Sequence, residues 1–222
     1  MFGIIIVFVL SVVCAYLLGS IPSALIAGRL SKGIDIRQHG SKNAGATNTF
    51  RVLGWKIGAA VAAADLLKGA AAGILIRYML LENFLLVGPE LYDSLASVIE
   101  VCGAVAVIIG HIFPLFAGFR GGKGVAAGAG VLFALQPLVA AVSLAVFIAV
   151  ALISGFVSLA SICAAVVMPI SYLVLKRCTV PDPVWFVFLI CAAVIILTTH
   201  RKNISRLLKG EENRFKTPFR KG

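Results

Sequence analysis

Seven long runs of almost uncharged apolar residues leave this chain one kind of environment to fold in. They fall at about Phe2 to Gly28, Ile57 to Leu81, Leu95 to Phe116, Val125 to Leu135, Leu138 to Ile153, Val157 to Leu175 and Val184 to Thr199. Crossing a hydrocarbon core of about 30 Å takes roughly 20 apolar residues in a helix. With 222 residues and seven such runs, no stretch remains for a separate soluble domain. Backbone polar groups in lipid must be satisfied within the structure, and the runs lack the alternation of barrel strands. The expected fold is therefore an all-α integral membrane protein, a bundle of seven transmembrane helices. It forms a single domain over residues 1–222, with a basic tail at 213–222. The fourth and fifth runs are short and are parted only by Gln136 and Pro137, so they read as one kinked hairpin or as two tilted helices. The first run has no basic n-region and stays apolar past Pro22, which favours an uncleaved helix over a signal peptide.

Charge gives the expected orientation. Lys and Arg number 20 against nine Asp and Glu, a net charge of +11. On alternate sides of seven spans, 16 of the basic residues gather on one side and three (Arg77, Lys176, Arg177) on the other. The positive-inside rule makes the rich side cytoplasmic, leaving the N-terminus outside and the C-terminus cytoplasmic. Six spans would put the basic tail outside, against that rule. Nucleic acid is not an expected partner, because a basic module of that kind exposes its charge and interleaves aromatics with it. The five cysteines have no metal spacing, so neither a metal nor a cofactor is expected. Asp65 and Lys68 are the exception to the uncharged runs. Three apart on one helix face, they read as an ion pair that fixes register or as support for the loop before them.

Three polar strings fall on the expected cytoplasmic side. The first, Gly40 to Asn48 (GSKNAGATN), has small residues that let backbone N–H groups approach an anion. Ser41, Thr47 and Asn48 add neutral hydrogen bonds, Lys42 adds charge, and Arg51 follows with a guanidinium suited to phosphate. The second, Gly118 to Gly124 (GFRGGKG), offers Gly121, Gly122 and Gly124 as open backbone and Lys123 as a point charge before a helix start. His111 lies upstream in GHIFP, either as a packed histidine or as a site member. The third, His200 to Arg206 (HRKNISR), places His200 and Asn203 on one helix face beside Arg201.

Several familiar chemistries are excluded by spacing. A P-loop would need Gly at Ala117 and a hydroxyl at Gly124, with a strand before it. The residues five after His39, His111 and His200 are Ala44, Phe116 and Ser205, so there is no His-x-x-x-x-Asp pair. No Gly-x-Ser-x-Gly elbow occurs either. A transporter of phosphorylated metabolites remains a rival reading, but it would line both halves with polar residues. A lipid-headgroup binder leaves the glycines and asparagines unexplained.

Read together, GSIPSALIAGRL with GSKNAGATNTFRVLG, then DLLKG, GHIFPLFAGFRGGKGVA and HRKNISRLLKGEE resemble the acyl-phosphate-dependent glycerol-3-phosphate acyltransferases of bacterial membranes, the PlsY type. The resemblance implies a multi-pass enzyme of the bacterial inner (plasma) membrane with its active site facing the cytoplasm. Its substrates would be acyl phosphate and glycerol 3-phosphate, and its products lysophosphatidic acid and phosphate, in phospholipid biosynthesis among membrane lipids. By motif, Ser41, His200 and Asn203 are expected to be catalytic. Lys42, Asn43, Thr47, Asn48, Arg51, His111, Gly121, Gly122, Lys123, Gly124 and Arg201 are expected to bind substrate, and Glu211 belongs to the last motif.

Overall fold

The computed structural model describes residues 2–82, 89–176 and 181–214. Arg177, Cys178 and the tail from residue 215 onward lie outside the described residues. Among the described residues every regular element is helical: α1 (Phe2–Gly19), α2 (Ser23–Lys32), α3 (Ala46–Leu53), α4 (Trp55–Glu82), α5 (Pro89–Ile112), α6 (Val125–Leu135), α7 (Pro137–Ser154), α8 (Val157–Leu175), α9 (Pro183–Thr199) and α10 (Arg201–Leu208). Short 3₁₀ turns at Ile36–Gln38 and Leu115–Ala117 interrupt the two loops that carry the first and second polar strings.

Among the described residues, five stretches are long and apolar enough to cross a membrane: Ile5–Lys32, Trp55–Glu82, Leu95–Ala117, Pro137–Ser154 and Val157–Leu175. α9 and α10 make a sixth if counted as one span, although they bend by 60° where they meet. α6 has only 11 residues, about 16 Å of helix, or half a hydrocarbon core. Of the seven expected spans, five or six thus have the length and apolar character of a crossing, and Val125–Leu135 is a short apolar helix. α6 stops because Pro137 cannot donate the next intrahelical hydrogen bond. Its terminal Leu135 carbonyl accepts from Arg77 Nη2 at 2.8 Å, and the same guanidinium stands 3.4 Å from Glu100. Glu100 therefore has an ion-pair partner, where its position near a run end alone suggests simple snorkelling.

The chain groups into two compact units, Met1–Leu135 and Gln136–Gly222. In the first, α4 is the hub and packs on α1, α3, α5 and α6. Small residues set the spacing. A Cβ on Gly69 would run into the Ala127 carbonyl, and one on Gly130 into the Leu66 carbonyl, so α4 and α6 approach backbone to backbone. α1 and α5 cross in the same way at Gly19 and Gly110. Ile76, Val107 and Val131 close the core, all with no exposed surface.

The first apolar run is broken where the sequence suggests continuity. Ser20, Ile21 and Pro22 separate α1 from α2, and the Ile21 carbonyl accepts from Lys68 Nζ at 2.8 Å. A helix break in lipid exposes carbonyls that need donors, and here Lys68, 47 residues along the chain from Ile21, adds its ammonium to the local Ser23 N–H.

In the second unit α8 packs on both α7 and α9. The α7–α8 turn runs through Gly155 at φ 75°, the left-handed region that a glycine enters without strain. Asp182 caps α9 by accepting from Val184 N at 2.8 Å, ahead of Pro183 in the first helical turn.

Candidate active site

The loop before α3 is organised by one side chain. Asn48 is fully buried; its Oδ1 accepts from Ser41 N at 2.8 Å, and its Nδ2 donates to the Ile36 and His39 carbonyls at 3.0 Å each. Gly40 permits this, because at φ 59° and against Asn48 Oδ1 no side chain would fit. Asn48, expected to bind substrate, therefore spends its amide on its own loop and shapes the surface others present. Ser41 and Lys42 are exposed on that surface, with Lys42 itself at φ 59°, and Asn43 and Thr47 are half-buried. α3 starts at Gly45, and Arg51 is exposed in its last turn. First-turn N–H groups with no intrahelical partner, preceded by small residues, suit an anion.

A second clasp ties this loop to the next. Arg37 grips Asp35 through Nε and Nη2, and its Nη1 donates to the Ala117 carbonyl at 2.8 Å. The guanidinium hydrogen bond holds the Asp35 carboxyl down at about 2, well below the usual aspartate range. Neither residue is singled out by the sequence motifs. A carboxylate two residues before an arginine was the available signal.

The glycine string is laid against the end of α5. Gly121 N donates to the Ile112 carbonyl at 3.0 Å and Gly122 N to the His111 carbonyl at 3.1 Å. A Cβ on Gly121 would strike the His111 carbonyl. One on Gly122 would strike His111 Nε2 and come within 3.0 Å of the Ala44 carbonyl. The first two strings therefore meet at Gly122, with His111 buried behind it. Lys123 is half-buried, and Gly124, at φ 84°, turns the chain into α6.

The third string lies in the second unit, where the helix bends between α9 and α10. His200 is buried there, its Nδ1 2.8 Å from the Ile196 carbonyl. That contact requires a proton on Nδ1, so the basic lone pair of the neutral ring is at Nε2. Asn203 Nδ2 donates to Glu212 Oε1 at 2.6 Å, Ser158 Oγ donates to the same oxygen at 2.9 Å, and Arg206 Nε donates to Oε2 at 2.6 Å. Glu212 is buried, while Glu211, the member of the pair expected from the motif, is exposed. Arg201 is exposed as well.

Burial alone would push the Glu212 carboxyl up, but the three donors outweigh it and hold the group below the ordinary glutamate value. A depressed carboxyl stabilises the fold above its unfolded pKa, and that stability is lost as pH falls through the folded value. Glu212→Gln is expected to lower stability at pH 7 by about 1–3 kcal/mol, the scale for leaving a hydrogen-bond partner of a buried group unsatisfied, since its amide nitrogen would face the Arg206 or the Ser158 and Asn203 donors. It should also flatten the acid limb of the stability curve below about pH 4.5, the ordinary glutamate value. Thermal melts from pH 7 to pH 3 check both.

The chain is similar over residues 9–210 to the family model described as glycerol-3-phosphate acyltransferase. A protein of that name from Chlorobium phaeobacteroides (strain BS1) is 40% identical over 97% of this chain and 98% of its own. Another, from Salinibacter ruber, is 44% identical over 90% of this chain and 88% of its own. Among solved structures, that of PlsY (YgiH), an integral membrane glycerol 3-phosphate acyltransferase, in its glycerol 3-phosphate form matches with a TM-score of 0.78. It is 36% identical and covers 94% of this chain and 96% of that one. The lysophosphatidic acid form matches with a TM-score of 0.75 and 37% identity. Helices, glycine string and histidines thus occur together in one chain because it belongs to the glycerol-3-phosphate acyltransferase family.

Proposed function

We propose that this chain transfers a fatty acyl group from acyl phosphate to the sn-1 hydroxyl of glycerol 3-phosphate, releasing lysophosphatidic acid and inorganic phosphate. The observation that carries the reading is likeness over almost the whole chain to structures described as glycerol 3-phosphate and lysophosphatidic acid forms. The chemistry asks for what the site offers. Acyl phosphate is a mixed anhydride with a good leaving group, so the protein needs chiefly to position two anions and offset their charge. The hydroxyl oxygen attacks the acyl carbon, the bond from that carbon to the phosphate oxygen breaks, and phosphate leaves. The hydroxyl proton passes to a substrate phosphate while His200 and Asn203 orient the hydroxyl. The glycines around Gly122, with Lys42, Lys123 and Arg51, take the glycerol 3-phosphate phosphate. Ser41, on the exposed face of the same loop, contacts the reacting groups as a hydrogen-bonding partner.

The same reading has seven helices in a bacterial plasma membrane, with the N-terminus outside and all three strings at the cytoplasmic face, as the distribution of Lys and Arg supports. Purified protein in detergent, given glycerol 3-phosphate with palmitoyl phosphate, acyl-CoA or acyl carrier protein thioester, should make lysophosphatidic acid only from palmitoyl phosphate. Product from a thioester instead would replace the donor. No product from any donor would leave a transporter of phosphorylated metabolites as the better reading.

A further inference from the structure

Three buried polar side chains have no part in the chemistry proposed above. Lys68 Nζ stands 2.9 Å from Asp65 Oδ1, and the same oxygen stands 3.5 Å from His111 Nδ1. Asp65 is 2% exposed, and Lys68 and His111 are each 7% exposed. Capping the Ile21 carbonyl at the helix break accounts for Lys68, and neutralising Lys68 accounts for Asp65. Neither role needs a histidine, yet the cluster extends to His111 and through it to the glycine loop. The 3.5 Å approach to Asp65 falls short of a hydrogen bond, and both atoms are buried without another hydrogen-bond partner among the described residues; at its other nitrogen the ring abuts Gly122, on the side where Gly122 approaches the Ala44 carbonyl. The same residues line a cavity of about 10 Å³, roughly the space of a single water centre, so the ring has little room to turn.

We propose that Asp65, itself fixed by Lys68, is a positioning residue for the glycerol 3-phosphate cradle. Its carboxylate, facing His111 Nδ1 at 3.5 Å, sets the plane of the imidazole, and the imidazole sets where Gly122 lies against the first loop. The inference rests on the functional reading above and adds a set of residues that touches no substrate. It predicts a division between the two substrates. Loss of the acceptor at position 65 loosens the glycine loop and weakens glycerol 3-phosphate, while the acyl donor, recognised elsewhere by its chain, is used as before.

Two neutral double variants separate this from a role in helix register alone. Asp65→Asn with Lys68→Gln removes both charges but keeps an oxygen that can accept from His111 Nδ1. Asp65→Leu with Lys68→Gln removes the charges and the acceptor. The two should melt within a few degrees of each other. The Asn pair should show a KM for glycerol 3-phosphate within about threefold of the parent protein, and the Leu pair one raised about tenfold or more. In both, the KM for palmitoyl phosphate should stay within about twofold. Equal KM values for glycerol 3-phosphate in the two pairs, a joint rise in both KM values, or failure of either pair to fold would overturn the inference and leave a purely architectural ion pair. The parent protein's own assay is read separately: if it makes no lysophosphatidic acid, the functional reading falls and takes this inference with it.

Discussion

Replacing His200 by asparagine is expected to lower kcat by about 100-fold, the scale for a reacting group displaced by about 1 Å, with little change in KM or melting temperature. The expectation follows from how the ring is held. Nδ1 contacts the Ile196 carbonyl at 2.8 Å and closes the end of α9, so part of the histidine is a helix cap. An asparagine amide can place a nitrogen near the Nδ1 position and keep that hydrogen bond, but it has no counterpart of Nε2. His200→Ala removes both. If catalysis runs through Nε2, the two variants should be equally slow, and only the alanine should melt earlier, by the cost of a buried cavity and an unpaired carbonyl. Normal turnover in the asparagine variant would reduce His200 to a cap. With the proton already passing to a substrate phosphate, the hydroxyl would then have to be oriented by Asn203 without the imidazole.

How much of this could be read before the coordinates depends on where each residue finds its partner. Helices came through because their cause is local: uncharged runs, with Pro137 and Gly155 marking two of the breaks. The break at Ser20 to Pro22 did not, since part of its support comes from Lys68, far along the chain, which donates to the Ile21 carbonyl. The same holds for the acidic member of the last motif. Glu211 and Glu212 are equivalent in composition, and the choice is made by Gly210 at φ 72° and by the Glu211 N–H turning back to the Arg206 carbonyl, which directs Glu212 inward toward Ser158. The meeting of the first two strings at Gly122 was legible only as an expectation of convergence. What proves it is a steric fact, the absence of room for a Cβ, and glycine records that need without naming the neighbour that creates it.

Asn48 shows the opposite failure, a residue whose type was read correctly and whose direction was not. An asparagine in a glycine-rich string looks like a ligand contact, and a ligand contact predicts that Asn48→Asp raises KM without harming the fold. The structure predicts otherwise. With Asp at this position the Ser41 N–H keeps its acceptor, but the Ile36 and His39 carbonyls keep only their backbone donors, His39 N and Lys42 N, and face a carboxylate in a site with no exposed surface. Two lost hydrogen bonds and a buried carboxylate set against two carbonyls are expected to cost about 3 kcal/mol, visible as a lower melting temperature. Activity should fall by about 100-fold with it, because Ser41 and Lys42 hang on the same turn and a displacement of about 1 Å is enough for such a loss. Asn48→Ala should do nearly as much damage, since it removes all three side-chain hydrogen bonds and leaves the Ser41 N–H without this acceptor, but adds no repulsion. A variant that melts like the parent protein and loses only affinity for glycerol 3-phosphate would place the amide in the substrate pocket after all. The loop would then need another explanation for how it holds Gly40 and Lys42 in left-handed backbone.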